Sequence, residues 1–207
     1  MVDTQIRPSD VTKFPIIEAF LSVPREKFVP DGKREAAYIG ENFKIGQSRV
    51  ILEPRTLAKL LDALDIRNDE LVLDIGPGLG YSSAVISPMA EVVIAVEDDS
   101  TMASEAEEIL AEVGADNVVI QIGKLEDGAP EHGPYDVIIL QGGVEEIPSS
   151  ILKQLKNGGR VGAIFMEEGL GTAKIGFKLN DKINWRYSFN AAAPVLPGFF
   201  KQKDFVL

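Results

Sequence analysis

The amino-acid sequence predicts an α/β fold: a sheet that is parallel in its centre and antiparallel at one edge, preceded by a helical N-terminal segment. Three observations lead to this prediction. Beyond residue 70, apolar β-rich runs alternate with helical patterns, which is typical of a parallel sheet with right-handed crossovers. A glycine-rich turn follows the first of these runs. Near the C-terminus, residues 174–179 and 183–189 are joined by the short turn 180–182, which indicates an antiparallel hairpin.

The N-terminal segment contains helical patterns that are interrupted by prolines. Pro15 suits the first turn of a helix, and the apolar face of that helix is formed by Ile16, Ile17, Phe20 and Leu21. A second short piece spans residues 24–30 between two prolines. A longer helix is expected over residues 54–64, with four leucines at the spacing of a buried face: Leu57, Leu60, Leu61 and Leu64.

The second part of the chain supplies the predicted sheet. Strands are expected near residues 71–76, 91–97, 117–122, 135–140 and 159–165, and helices near 81–87, 100–113 and 148–156. We expect a single domain in three parts. These are a helical N-terminal extension (1–65), a ligand-binding core (66–168), and a C-terminal hairpin and tail (169–207).

Composition excludes several classes of function. The 207 residues include no cysteine, which excludes disulfides, a thiol nucleophile and thiolate metal sites. The net charge is −11, and 20 of the 32 acidic residues follow residue 70, so nucleic acid is a poor partner. No apolar run is long enough for a bilayer span, and the N-terminus does not resemble a signal peptide. We therefore expect a cytoplasmic protein that binds neither membrane nor nucleic acid.

The motif that carries most information is the turn after the first predicted strand. An apolar run ends at Asp74, and glycines follow at alternate positions: Gly76, Gly78 and Gly80. Such a turn is where an open α/β sheet binds a nucleotide-like ligand. A dinucleotide fingerprint would place its third glycine at position 81, where this chain has Tyr81. The spacing therefore favours a ligand without a pyrophosphate, and S-adenosylmethionine is the leading candidate.

Two further strand ends add polar groups near this turn. The predicted strand 91–97 ends at Glu97, which is placed to accept hydrogen bonds from both hydroxyls of an adenosyl ribose. The strand 135–140 is followed by the turn Gln141-Gly142-Gly143. An alternative is that these are ordinary sheet ends without a ligand. For Gln141 taken alone, an ordinary turn is the favoured interpretation.

Several motifs in order resemble the protein-L-isoaspartate O-methyltransferase family. They are Val23-Pro24-Arg25 with Phe28-Val29-Pro30, then Tyr38, Ile45-Gly46, the segment Asp74–Gly80 followed by Tyr81, and Leu155-Lys156-Asn157-Gly158-Gly159-Arg160. The resemblance implies a Rossmann-like class I methyltransferase fold. It also implies S-adenosylmethionine as donor, S-adenosylhomocysteine as product, and an isoaspartyl carboxylate as acceptor.

The resemblance also implies roles for individual residues. Asp74 would support the methionine end of the donor, and the backbone of Gly76, Pro77, Gly78 and Gly80 would lie beneath it. Glu97 would bind the ribose. The adenine would be bordered by Gly123, Lys124 and Leu125, and Gln141 is counted with these cofactor-binding residues. The acceptor side would be formed by residues 45–54, together with Gln141 and Gly142.

The chain departs from the family pattern in its acceptor segment. Members of the family have hydroxyl side chains where this chain has Val50 and Leu52, and a glutamine where it has Arg49. Lys124 replaces an acid that resembles an adenine ligand, and a lysine cannot accept a hydrogen bond from an adenine amine. Arg49 is a candidate to hold an acceptor carboxylate in bidentate fashion. An ordinary surface arginine is an equal alternative.

Three functional hypotheses follow. The first is a methyltransferase whose acceptor has diverged from isoaspartyl peptides, toward another protein or peptide carboxylate or a small molecule. The second is a genuine isoaspartyl repair methyltransferase. The third is a non-catalytic relative that binds the cofactor or a partner, suggested by Val50, Leu52 and the aromatic tail: Phe199, Phe200 and Phe205. The single histidine, His132, lies in a loop-like stretch and indicates no catalytic triad or metal site. Oligomeric state is left open.

Overall fold

A computed structural model describes residues 1–201, apart from the side chain of Asp31. Its α-helices are α1 (Phe14–Ser22), α2 (Pro54–Leu64), α3 (Tyr81–Ile86), α4 (Ser100–Glu112) and α5 (Ser149–Lys153). Its strands are β1 (Phe43–Lys44), β2 (Val50–Ile51), β3 (Leu71–Ile75), β4 (Val92–Glu97), β5 (Val118–Ile122), β6 (Tyr135–Val144), β7 (Leu155–Glu167), β8 (Leu170–Leu179) and β9 (Lys182–Asn190). Short 3-10 turns connect several of these elements.

Seven strands form one mixed sheet in the order β5-β4-β3-β6-β7-β8-β9. The five strands from β5 to β7 are parallel, and β7, β8 and β9 pair antiparallel. The predicted α/β class, with its parallel centre and antiparallel edge hairpin, is confirmed. Strands β1 and β2 form a separate two-stranded ribbon.

The region between β6 and β7 differs from the prediction. The helix expected over residues 148–156 ends at Lys153, because Leu155 already pairs with Tyr135 at the start of β6. The β6–β7 register then shifts, and Gly158 adopts a φ of +84°, before regular pairing resumes at Arg160. A bulge therefore takes the place of the last predicted helical turn.

The N-terminal helices cover one face of the sheet. Helix α2 has the predicted bounds, and its four predicted core leucines are buried. Helix α1 buries Ile16, Ile17 and Phe20. The prediction that Leu21 lies on the same buried face is wrong, because Leu21 is 67% exposed. The face of α1 that contacts the core is thus narrower than its apolar pattern predicted.

The C-terminal tail packs against the opposite face. Phe199 is fully buried in a cluster with residues of β3 and β6, including Leu73 and Leu140. Phe200 is exposed, and Phe205 lies outside the described residues. Across residues 1–201, no helix combines the length and apolar character that a membrane span requires.

Candidate functional site

The candidate site lies at the carboxyl ends of β3, β4 and β6. Strand β3 pairs with β4 on one side and β6 on the other, so the strand order reverses here. This reversal is the place where open α/β sheets bind their ligands. Gly76, Gly78 and Gly80 all have positive φ between β3 and α3, a backbone conformation that glycine adopts without a steric penalty.

Asp74 is fully buried beneath this turn and is held by neutral donors. The Oγ atoms of Ser82 and Ser83 each donate to its Oδ2 at 2.6 Å, and the Nε2 of Gln141 donates to its Oδ1 at 2.7 Å. Burial raises the pKa of Asp74, and these hydrogen bonds oppose the rise. The predicted turn at residues 141–143 is wrong, because these residues continue strand β6, and the side chain of Gln141 contacts Asp74 in the candidate site.

Glu97, at the end of β4, is also fully buried but has a charged partner. Its carboxylate accepts hydrogen bonds from the backbone N–H groups of Gly78, Asp98 and Asp99, at 2.8, 3.1 and 3.1 Å. The guanidinium of Arg49 forms a bidentate ion pair with it, with Nη1 2.9 Å from Oε1 and Nη2 on Oε2. Burial raises the pKa of Glu97, while the charge of Arg49 lowers it.

Arg49 thus lies on the donor side of the site. It precedes β2, its side chain is 7% exposed, and its Nη1 also contacts the carboxylate of Asp98. The sequence offered Arg49 as a ligand for an acceptor carboxylate or as a surface arginine. The structure instead pairs it with Glu97, the predicted ribose ligand.

Val50 and Leu52, the other candidate acceptor residues, are buried. Together with Pro77, Tyr81 and Gln141 they line a narrow gap that does not admit water. Their side chains offer no hydrogen-bonding group toward it.

The glycine turn is covered by side chains of this chain. A Cβ on Gly78 would come within 2.3 Å of the Cδ1 of Ile45. A Cβ on Gly76 would lie 3.3 Å from both the Nη2 of Arg49 and the Cδ2 of Leu196. The surface on which a nucleoside would rest is therefore in contact with Arg49, Leu196 and Ile45. Sequence patterns gave no signal for Leu196.

The predicted adenine border lies next to Glu97. The N–H of Gly123 donates to the backbone oxygen of Glu97 at 3.0 Å. Leu125 is buried near Gly76, and Lys124 is exposed. The structure thus brings the residues predicted to bind the donor together at one edge, with Lys124 at its rim.

Fold and site together define a Rossmann-like methyltransferase sheet. The family model for "Protein-L-isoaspartate(D-aspartate) O-methyltransferase (PCMT)" matches residues 1–182, and the chain belongs to this family. It is 38% identical over 161 residues to the protein-L-isoaspartate O-methyltransferase of Syntrophus aciditrophicus, covering 78% of this chain and 74% of the relative. The corresponding protein of Opitutus terrae is 35% identical, with 78% and 69% covered.

Solved structures agree with this fold. A protein-L-isoaspartate O-methyltransferase aligns over 93% of this chain with a TM-score of 0.81 and 26% identity, and the chain spans 63% of that protein. A beta-aspartate methyltransferase from Plasmodium falciparum, in complex with S-adenosyl-L-homocysteine, aligns over 92% of this chain and 93% of its own length, with a TM-score of 0.78 and 20% identity. The predicted class, an S-adenosylmethionine-dependent methyltransferase family, is confirmed.

In the described arrangement Arg49 occupies the place at Glu97 that the ribose of this family's donor would take. The chemistry of Asp74, Glu97 and the glycine turn suits a nucleoside with an amino-acid arm. However, both carboxylate oxygens of Glu97 are paired with Arg49, and Leu196 contacts the glycine turn. A bound donor would require Arg49 to leave this position.

Proposed function

We propose that this chain is an S-adenosylmethionine-dependent methyltransferase whose acceptor differs from the isoaspartyl group. The observation that carries the proposal is the contrast between the two sides of the site. On the donor side, the acid–glycine–acid constellation of Asp74, the glycine turn and Glu97 is present. On the predicted acceptor side, Val50 and Leu52 are buried apolar residues at the positions where the resemblance implies hydroxyls.

The loss of two hydroxyls has a predictable size. Each hydrogen bond to the acceptor carboxylate is worth about 0.5–1.5 kcal/mol net. Together, the two missing bonds correspond to a roughly 5- to 140-fold lower specificity for an isoaspartyl substrate. A carboxylate on another protein or peptide, or on a small molecule, would be ionised at neutral pH and would need no general base. The absence of a titratable group at Val50 and Leu52 is compatible with such acceptors.

The test is methyl transfer from labelled S-adenosylmethionine to an isoaspartyl peptide, with its aspartyl isomer as control. The double variant Val50→Thr/Leu52→Ser is expected to raise isoaspartyl-selective kcat/KM about 10-fold or more. The matched apolar variant Val50→Ile/Leu52→Met should leave it unchanged. Both pairs are also made in an Arg49→Gln background, so that a covered donor site does not hide the effect. If the wild type methylates the isoaspartyl isomer as selectively and as fast as Val50→Thr/Leu52→Ser does, the result would favour the repair enzyme instead.

A second candidate function is a non-catalytic relative that acts as a binding protein. The pairing of Glu97 with Arg49, and the contact of Leu196 with the glycine turn, favour it. A lysate incubated with the protein and labelled S-adenosylmethionine separates the two candidates. Label transferred to any component supports the enzyme. Binding of S-adenosylhomocysteine without any labelled product supports the binding protein.

A further inference from the structure

We propose that Arg49 is a built-in occupant of the donor site, holding Glu97 in place of a ribose and leaving it when a nucleoside binds. This inference rests on the proposed function for one point, the assignment of Glu97 as the ribose ligand. It goes beyond that function because it makes an internal side chain compete with the ligand.

The charges around Arg49 explain why it lies there. Its guanidinium is placed between the carboxylates of Glu97 and Asp98, and its planar fork matches the two oxygens of Glu97. Charge-assisted bidentate hydrogen bonds of this kind are roughly twice as strong as neutral ones. The neutral hydroxyls of a ribose would therefore compete for Glu97 with Arg49, which binds this carboxylate more strongly than a hydroxyl does.

Glu97 does not depend on Arg49 for its hydrogen bonds. Three backbone N–H groups, those of Gly78, Asp98 and Asp99, donate to its carboxylate. When Arg49 leaves, these donors still satisfy the carboxylate, and two acceptor positions become free for a diol. Glu97 is thus arranged to exchange one partner for another.

Arg49 has a route away from the site. It forms part of the wall of an open cleft of about 350 Å³, which also includes Asp98, Asp99 and Met102. It ends the turn between β1 and β2, in which Gln47 is exposed. A rotation of the Arg49 side chain into the cleft would uncover Glu97 and keep the guanidinium close to Asp98 and Asp99.

Leu196 borders the same surface beside Gly76 but is held differently. It lies in the C-terminal strap, residues 191–199. There the Leu196 N–H donates to the oxygen of Gly143 at 2.9 Å, and the Gly143 N–H donates to the oxygen of Pro194 at 2.8 Å. A Cβ on Gly142 would lie 2.7 Å from Leu196, so the glycine allows the strap to cross β6. Backbone hydrogen bonds hold the strap at the border of the glycine turn. The guanidinium of Arg49 is held there by side-chain contacts alone, so it is the group that we expect to move.

In the open state Arg49 has left Glu97, and only this state binds the ligand. The apparent Kd therefore equals the intrinsic Kd divided by the fraction of molecules in the open state. If the open state is about 1–10% of the population, the apparent Kd is about 10- to 100-fold weaker than the intrinsic one. Removing the guanidinium should recover that factor. The expected order of affinity is Arg49→Gln tightest, Arg49→Lys intermediate because lysine lacks the fork, and wild type weakest.

The experiment is calorimetric titration of the three full-length proteins with S-adenosylhomocysteine, at one pH and one salt concentration. Arg186→Gln is the matched control, because Arg186 is exposed on β9 and contacts the ring of Phe177. We expect Arg49→Gln to bind at least about 10-fold more tightly than wild type, and the control to bind like wild type. Circular dichroism shows that each variant is folded. If Arg49→Gln does not fold, the comparison of Arg49→Lys with wild type decides.

Equal or weaker binding by a folded Arg49 variant would overturn the inference. Failure of this inference can be distinguished from failure of the proposed function, because binding and methyl transfer are measured in separate experiments. Tighter binding by Arg49→Gln without transfer to any acceptor supports the inference and contradicts the enzyme. Methyl transfer by a wild type that binds S-adenosylhomocysteine as tightly as Arg49→Gln supports the enzyme and contradicts the inference.

Discussion

Two buried arginine–glutamate pairs lie at opposite edges of the large sheet. At the carboxyl edge, Arg49 pairs with Glu97 at the end of β4. At the amino edge, Arg160 pairs with Glu70 directly before β3, with Nη1–Oε1 and Nη2–Oε2 distances of 2.7 Å each. Both pairs are bidentate and both carboxylates are less than 5% exposed. The two pairs differ in the other groups that the arginine and the glutamate contact.

The amino-edge pair connects elements. Arg160 also donates to the backbone oxygens of Leu64 and Asp65 at the end of α2, which have no partner within the helix. At the carboxyl edge, Glu97 keeps three backbone donors without its arginine. The same chemistry therefore fastens a helix to the sheet at one edge and lies at the proposed ligand site at the other.

The largest expected effect distinguishes these two roles by stability. Arg160→Gln should lower the free energy of unfolding by about 3–5 kcal/mol, because two helix-end oxygens lose their donor and Glu70 keeps only Arg67 as a charged partner. Arg49→Gln should cost only about 1–2 kcal/mol, because backbone N–H groups still satisfy Glu97. Urea denaturation measures both, with Arg186→Gln as a surface control. A greater loss for Arg49→Gln would assign a structural role to the carboxyl-edge pair.

The pH dependence of stability sharpens the comparison. Burial would raise the pKa of Glu70, but hydrogen bonds from Arg160 and Arg67 prevail and lower that pKa to about 2. Because the folded pKa lies below the unfolded one, the stabilisation is present above about pH 4.5 and is lost as pH falls toward 2. With allowance for solvent screening, it should amount to about 1–2 kcal/mol.

Urea midpoints measured between pH 7 and pH 2.5 follow this loss, and Glu70→Gln should flatten the profile. Burial raises the pKa of Glu97, so this group should not add to the acid-induced loss. An unchanged profile in the Glu70 variant would show that other carboxylates control acid unfolding.

The smallest expected effect concerns Asp74, the other buried carboxylate of the site. Ser82→Ala removes one of three neutral donors and should lower the free energy of unfolding by about 1 kcal/mol. Chemical denaturation of Ser82→Ala and Ser83→Ala should give similar losses, since both hydroxyls bond the same oxygen. A loss above that of Arg49→Gln would reverse the order proposed for the two carboxylates.

Local patterns were sufficient to predict most of the fold. The strand–helix alternation gave the parallel centre, and the hairpin turn at Asn180 and Asp181 has the positive φ values that such a turn requires. The predicted helix over 148–156 was too long, because pairing of Leu155 with Tyr135 depends on a strand that lies 20 residues earlier. Leu21 was predicted to be buried from its helical spacing, but it is exposed, and no element within residues 1–201 covers it.

The candidate site was predictable only in part. Asp74, the glycines and Glu97 are close in sequence to the strand ends that position them. The position of Arg49 depends on how the ribbon β1–β2 folds over a strand end 48 residues away, and nothing in the local sequence indicates that distance. Leu196 reaches the site from the C-terminal strap for the same reason. The side chains that contact the glycine turn at the carboxyl edge thus come from segments far away in the sequence.

The most direct measurement of the central claim is the ratio of the S-adenosylhomocysteine dissociation constants of wild type and Arg49→Gln, determined under identical conditions. We predict that the wild-type constant is at least about 10-fold larger, since its Glu97 is held by Arg49 in most molecules. Equal constants would contradict the claim and would mean that the arginine at the donor edge does not compete with the ligand.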